Sequence, residues 1–321
     1  MKLQGKNTGL VYIIIVNWNG WKDTIECIKS LNKLKYKRNK IVIVDNDSKD
    51  ISIEHLKASN NIHLIQLDKN HGYSYANNIG IKYAIENNAE YILLLNNDTI
   101  VSSNLLDEFI KIFKKYPKVG ALAAKIYYYH DKKKIWFAGS QIRQKAEFPI
   151  HLGFNEVDRG QFNKLIDIPF INGGAFFIKT EVIKKIGLLD EKYFYMYEDA
   201  DWTSRIISAG YRCLFVPTAK IWHKVHRSTK GRSAEWWYYD QRSYLLWLKS
   251  HFPEVRLYKT AIQPLVIFFQ DSAIDLYRKG ILQFPRNLKK QILILLAKMI
   301  GTIDYLKSYY GECPEVIKTW N

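Results

Sequence analysis

The chain has 321 residues, 47% of them hydrophobic and 14% aromatic, too apolar for a disordered segment and enough to bury a sizeable core. Its 48 Lys and Arg against 31 Asp and Glu give a formal charge of +17, which favours anionic partners such as nucleotides, phosphates or an acidic membrane surface, or else reflects a lysine-rich solvated exterior. Cys27, Cys213 and Cys313 are odd in number and far apart, so neither a disulfide framework nor a zinc site is expected, and a reducing compartment is.

The first apolar run, LVYIIIV from Leu10, leads directly into Asn17, Trp18 and Asn19. At about seven residues, with no small-residue cleavage site, it reads as a buried strand rather than a signal peptide or anchor, and a cytoplasmic protein is expected. Further strand candidates are KIVIVD (40–45), IHLIQL from Ile62 and YILLLN from Tyr91. Between them, residues 21–34, 51–58 and 73–87 carry apolar side chains at helical spacing. Strand and helix in alternation predict an α/β fold, a mainly parallel sheet covered on both faces, and continuous apolar strands suit that burial.

Beyond this half, VGALAAKIYYY from Val119 reads as a strand, followed by a polar, irregular stretch to Phe170. AFFIK and YRCLFVP read as strands and 181–186 and 199–209 as helices, the second stopped by Gly210. From Arg232 onward the pattern is helical and rich in aromatics and lysine. IQPLVIFF is interrupted by Pro264, and QILILLAKMIGTIDYL is bounded by Lys298 and Asp304. Neither reaches the roughly 20 apolar residues of a span, so they are either buried helices or an interfacial membrane contact. The expected organisation is a catalytic domain over 1–231 and a helical C-terminal extension over 232–321.

In parallel sheets ligands bind beyond the carboxyl ends of the strands. The four strand ends here read VNWNG, VDNDS, QLDKNHGYS and LLNNDT, and each delivers Asn or Asp. Such residues are ordinary in single turns and N-caps, but four loops converging on one sheet edge point to a polar site.

Taken with INGGAFFIKTEVIKKIGLLDE and YEDADWTSRIISAGY, these segments resemble the inverting family 2 glycosyltransferases, in particular the rhamnosyltransferase-like subgroup of bacterial surface polysaccharide synthesis. The resemblance runs from about Leu10 to Arg232 and continues more weakly beyond. It implies a GT-A fold, a nucleotide-diphosphate sugar donor, a glycan or lipid-linked acceptor, and a divalent metal, Mn²⁺ or Mg²⁺. By the same resemblance Asp98 is a metal ligand, and the usual D-x-D is Asn96-Asn97-Asp98, with an amide in place of the first carboxylate. His223 matches a histidine near the metal and diphosphate, with His226 as a competing choice and Lys224, Arg227 and Lys230 near enough for phosphate. Asp45 matches the carboxylate that accepts from the pyrimidine N3–H, and Asn17, Gly72, Asn78, Asn96 and Asn97 match the nucleotide-sugar pocket. Glu198 and Asp199 match the acidic pair that holds the catalytic base, with Asp199 favoured. Asp199 begins a helix, whose dipole is expected to lower its pKa. Asp201 and Arg205, spaced i, i+4, are expected to pair on the helix. Asn172, Gly173, Gly174 and Trp202 are the candidate acceptor contacts.

Competing activities lack their signatures. There is no G-x-G-x-x-G after a strand, no G-x-x-x-x-G-K-[ST] phosphate loop, and no Gly-rich Arg-containing loop after strand one as a nucleotidyltransferase needs. A basic, aromatic-rich binding module for nucleic acid or anionic glycan is the non-enzymatic alternative. The basic residues are nevertheless spread along the chain, without an RNP-like motif, and no nucleic-acid partner is expected.

Overall fold

The computed structural model describes residues 9–142, 149–225, 233–253, 255 and 257–320. The first strands and helices alternate in chain order: β1 (Val11–Asn17), α1 (Trp21–Leu31), β2 (Asn39–Asp45), α2 (Ser52–Lys57), β3 (Ile62–Gln66), α3 (Tyr73–Glu86) and β4 (Tyr91–Leu95). Then come β5 (Thr99–Val101), α4 (Leu105–Lys115), β6 (Val119–Tyr128), and four short strands, β7 (Ile135–Phe137), β8 (Ser140–Gln141), β9 (Ile150–His151) and β10 (Ile166–Asp167). The chain continues through β11 (Ala175–Lys179), α5 (Thr180–Ile186), α6 (Glu198–Ser208) and β12 (Arg212–His223), and ends in α7 (Ala234–His251), α8 (Leu257–Leu306) and α9 (Glu315–Lys318).

The main sheet runs β10-β12-β6-β11-β4-β1-β2-β3. The β3-β2-β1-β4 half is parallel throughout, and β6 and β12 are parallel to each other, while β11 runs antiparallel to both β4 and β6. This is the mostly parallel α/β sheet expected from the continuous apolar runs. Val11 to Ile15 and Ile92 to Leu95 are almost wholly removed from water, as strands covered on both faces must be. Helix α3 lies close on the sheet at Gly80, where an added Cβ would sit 2.5 Å from a methyl of Ile14. Helix α4 buries Leu105, Leu106, Phe109, Ile110 and Phe113, with Asp107 and Glu108 in its first turn and Lys114 and Lys115 in its last, each matched to the helix dipole. Phe109 and Phe113 stack on Phe177 of β11.

Two compact units emerge: Met1–Glu191 with Glu198–Ser228, and Lys192–Tyr197 with Thr229–Asn321. The second has its own core, in which Ala234, Tyr238, Tyr239, Ala297, Cys313 and Ile317 are buried together. The break expected at Pro264 does not occur, and α8 continues through it. An internal proline removes one N–H bond and crowds the preceding turn, which bends a helix without ending it when the bonds on either side hold. Among the described residues no helix is long and apolar enough to cross a membrane.

Candidate active site

Strand register assembles the site. Asn17 and Asp45, the last residues of β1 and β2, are direct partners across the parallel ladder. Both are buried, and the Asn17 amide donates to Asp45 Oδ2 at 2.7 Å. Ser48 donates to the same carboxylate through its backbone N–H (2.9 Å) and its hydroxyl (2.7 Å), and Thr24 donates to Asn17 Oδ1 at 2.6 Å. Among the described residues Asp45 thus accepts three hydrogen bonds, fewer than the about four acceptor positions of an ionised carboxylate, which leaves room for a ligand N–H. Asn19 and Asp47 take positive φ in the two loops, and Asn19 receives the Lys49 N–H at 2.7 Å, tying one loop to the other.

Gly72, at φ 90° and ψ 168°, turns the chain into α3 in a conformation open to glycine. Asn46, buried beside Asp45, holds this turn through Asn70 and the His71 N–H. The next residue, Tyr73, donates to Asn96 Oδ1 at 3.0 Å, and Asn97 donates to Thr24 at 3.1 Å. Asn17, Asp45, Asn96 and Asn97 therefore belong to one hydrogen-bonded edge.

The short strand β5 brings the acidic and imidazole groups together. It pairs antiparallel with β12, setting His223 opposite Thr99, and His223 Nε2 lies 2.9 Å from Asp98 Oδ1. Burial would raise the Asp98 pKa, but the adjoining His223 imidazole and the Lys224 ammonium more than offset it and hold the carboxyl below its ordinary range. His223 Nδ1 is buried without a hydrogen-bond partner among the described residues. An oxygen and a nitrogen at this separation suit a divalent cation, whose adjacent ligands stand about 3 Å apart when its bonds are about 2.1 Å.

The turn before β11 joins this pair to the acidic helix start. The Asn96 N–H donates to the Gly174 carbonyl at 3.3 Å, and Gly174 is backed by Asn172, whose Oδ1 accepts its N–H at 2.9 Å. Gly173 N–H donates to Asp199 Oδ2 at 2.7 Å, and Ala200 N–H to Asp199 Oδ1 at 2.8 Å. Both glycines keep the turn close: a Cβ on Gly173 would lie 3.1 Å from Asp199 Oδ2, and one on Gly174 would lie 3.0 Å from Asn172 Oδ1, tight contacts that a side chain could take only if these neighbours gave way by a few tenths of an ångström. Tyr73, Gly173, Glu198 and Asp199 line one small cavity of about 10 Å³. Met196 and Tyr197, both left-handed at φ 70° and 68°, form the tight turn that delivers Glu198 and Asp199, a conformation costly enough in non-glycine residues to suggest a functional constraint.

Several expectations are corrected. Burial pushes the Asp199 carboxyl up to about 6, against the lowering expected from the helix dipole, and the two N–H donors only partly oppose it. Trp202 is fully buried, packed on Phe176 with its indole N–H on the Gly187 carbonyl at 3.0 Å, and it lines the same small cavity as Asp199. Asn78 does not line the nucleotide pocket, because its amide bonds both backbone groups of Leu189 and the Glu191 carboxylate, bracing that loop. Lys224 is turned from any phosphate by its ion pairs with Asp23 and Glu26. Asp201 and Arg205 pair as expected, at 2.7 Å. His226, Arg227 and Lys230 lie outside the described residues. Ser48, Thr24, Asn46 and Tyr73 were not singled out from the sequence; all but Thr24 lie in the strand-end segments already read as converging, and only the fold shows which side chains turn inward.

Comparison with known proteins identifies the family and the fold. A family model described as "Glycosyl transferase family 2" matches residues 12–187. The chain is 25% identical to the dTDP-rhamnosyl transferase RfbF of Shigella flexneri over 288 residues, 85% of this chain and 93% of that protein. It is 24% identical to a poly-β-1,6-N-acetyl-D-glucosamine synthase of Staphylococcus aureus over 269 residues, 79% of this chain but 59% of the synthase. Among solved structures, the mannosyltransferase PcManGT from Pyrobaculum calidifontis, in complex with GDP-Man and Mn²⁺, superposes with a TM-score of 0.57 at 14% identity, covering 93% of this chain and 87% of that one. The fold is of the GT-A type.

Proposed function

Because this chain belongs to glycosyl transferase family 2, we propose that it moves a sugar, with inversion, from a nucleotide-diphosphate donor to a glycan or lipid-linked acceptor in the synthesis of a cell-surface polysaccharide. The observation that carries the reading is the linkage of two groups through one turn. Asp199, with its raised pKa, bonds Gly173, and the neighbouring Gly174 bonds Asn96 beside the Asp98–His223 pair.

Inversion is an in-line displacement. The acceptor oxygen bonds the anomeric carbon as the bond to the diphosphate oxygen breaks, the electron pair leaves with the diphosphate, and the acceptor proton passes to a carboxylate. Asp199 is the base. A carboxyl poised near 6 is mostly ionised at neutral pH yet basic enough to accept a proton as the new bond forms. The N–H groups of Gly173 and Ala200 fix its orientation, and Glu198 stands beside it. Asp45 and Asn17 would hold the base of the nucleotide, Asp45 accepting from a pyrimidine N3–H. Uracil and thymine both offer that donor. Likeness to the rhamnosyl transferase favours dTDP-rhamnose, with UDP-sugars next.

Asp98 and His223 would hold a divalent ion, Mn²⁺ or Mg²⁺, which when bound offsets the charge developing on the diphosphate. Asn96, an amide in place of a carboxylate, adds no charge, so binding of the ion is expected to depend on the donor. The catalytic domain is taken to end near residue 231, with 232–321 as an extension that meets acceptor or membrane surface at the cytoplasmic face. The nucleic-acid alternative has no support among the matches.

A panel of dTDP-, UDP- and GDP-sugars, assayed for nucleoside diphosphate release with Mn²⁺, Mg²⁺ or chelator, tests the reading. Turnover of one pyrimidine donor, abolished by chelator, is expected. Asp199→Asn should cut transfer by about 10²- to 10⁴-fold while leaving nucleoside diphosphate binding by calorimetry largely intact; full transfer in that variant would remove Asp199 from its role.

A further inference from the structure

The end of α8 carries a surface that neither the active site nor the core of its own unit accounts for. Ile292, Leu296, Met299, Ile303 and Leu306 recur at steps of 4, 3, 4 and 3, which at 100° per residue confines them to an arc of about 80°. They are exposed by 38%, 39%, 37%, 43% and 71% respectively. The opposite side, with Ala297, Gly301 and Tyr305, is buried against α7, so closely that a Cβ on Gly301 would lie 2.6 Å from the Tyr238 carbonyl. Between 289 and 307 the other exposed residues are Lys289, Lys290 and Lys307, of which Lys289 and Lys307 lie about 60° from the centre of the stripe on one flank, at its two ends, while Lys290 falls on the far side of the helix. No carboxylate is exposed there, since Asp304 is only partly accessible and accepts from the Tyr238 hydroxyl at 2.7 Å.

We propose that this face lies on an anionic lipid bilayer, its apolar stripe in the headgroup boundary and its lysines on the lipid phosphates. Charge decides between this and a second copy of the chain. Antiparallel pairing of two such helices would set Lys289 of one against Lys307 of the other with no carboxylate between, whereas an acidic bilayer complements both of these ammonium groups. The helix is not apolar enough to cross, so it rests on the surface. The proposal deepens the transferase reading by identifying the surface at which a lipid-linked acceptor would be met, and it is tested without relying on that reading.

Full-length protein is sedimented with phosphatidylcholine vesicles, with and without phosphatidylglycerol, at low and high salt. Binding to the anionic vesicles is expected, weaker by on the order of 30-fold without the anionic lipid given two lysines near the surface, and weakened by salt. Met299→Glu and Leu306→Glu, both at exposed positions that should leave the fold intact, are each expected to lower partitioning about 10-fold or more, in line with the cost of seating a charge in the interface. Donor hydrolysis in solution, which reports on the transferase reading separately, should stay unchanged in both. Failure of the wild type to bind anionic vesicles overturns the proposal. So does equal binding by the two variants, or a dimer in sedimentation equilibrium that Met299→Glu dissociates.

Discussion

At the scale of single residues, the pH response of transfer rests on Asp199, whose carboxyl burial pushes up to about 6. Asn17, Asp45 and Asp98 follow apolar strands, and a polar residue directly after a buried parallel strand is bound to surface at the ligand-binding edge. Asp199 is different. Its place at a helix start suggests a lowered pKa, but the backbone of Gly173, 26 positions earlier, folds over it, and burial outweighs the dipole. The sign has two consequences. Below the ordinary carboxyl value the group is protonated folded or unfolded, and its contribution to stability is fully present. As pH rises to about 6 the folded state must give up a proton it holds more tightly, so that contribution is lost. Catalysis runs the other way. kcat/KM for transfer should climb with pH and level off above about 6, and Asp199→Asn should show no such limb and a rate lower by about 10²- to 10⁴-fold. A wild-type profile flat from pH 5 to 8 would sink the assignment. For the neighbouring pair, His223→Ala should raise the Mn²⁺ concentration needed for half-maximal donor hydrolysis, and an unchanged metal titration would count against ligation by the imidazole.

Most elements that fold through local pattern were legible, and those set by long-range pairing were not. Strands β1 to β4 announce themselves as apolar runs of the right length. Strand β5 is three residues long and has no pattern of its own, yet its pairing with β12 is what brings His223 to Asp98. Helix α4 was not among the expected elements, although Leu105, Leu106, Phe109, Ile110 and Phe113 recur at helical spacing and form its buried face. Asn78 and Trp202 sit on helices as expected, but whether such a side chain faces ligand or protein depends on a loop far along the chain, Leu189 for one and Gly187 for the other. The approach of β11 to α6 yields a sharper test. Gly173→Ala introduces a Cβ 3.1 Å from Asp199 Oδ2, tight enough to shift the carboxylate by a few tenths of an ångström. Because small misplacements of a reacting group cost rate steeply, transfer should fall by about 10- to 100-fold. Nucleoside diphosphate affinity, measured by calorimetry, should hold. A parallel loss of affinity would mean that the turn supports the whole pocket and not the base alone.

At the scale of the molecule, the α/β half was legible because alternating strand and helix admits few topologies, whereas the C-terminal unit gives only a helical, aromatic-rich composition. Its organisation depends on a buried cation that no periodicity announces. Arg242 is fully buried, donates to the Tyr238 hydroxyl at 2.7 Å and the Gly311 carbonyl at 2.8 Å, and reaches the Tyr310 carbonyl at 3.3 Å. Its guanidinium also lies 4.9 and 5.1 Å from the rings of Tyr238 and Tyr239. A planar fork can serve these acceptors and rings together, and a lysine ammonium cannot. Arg242→Lys should therefore destabilise the C-terminal unit by about 3 kcal/mol, the scale of losing charged hydrogen bonds to buried carbonyls. Since that unit has a core of its own, the loss should stay within it. Hydrogen exchange should quicken in α7 and the described end of α8 while β1, β2 and β4 keep their protection, and donor hydrolysis should persist. If the strands lose protection to the same extent, the chain unfolds as one body and the separation of the two cores has no energetic meaning.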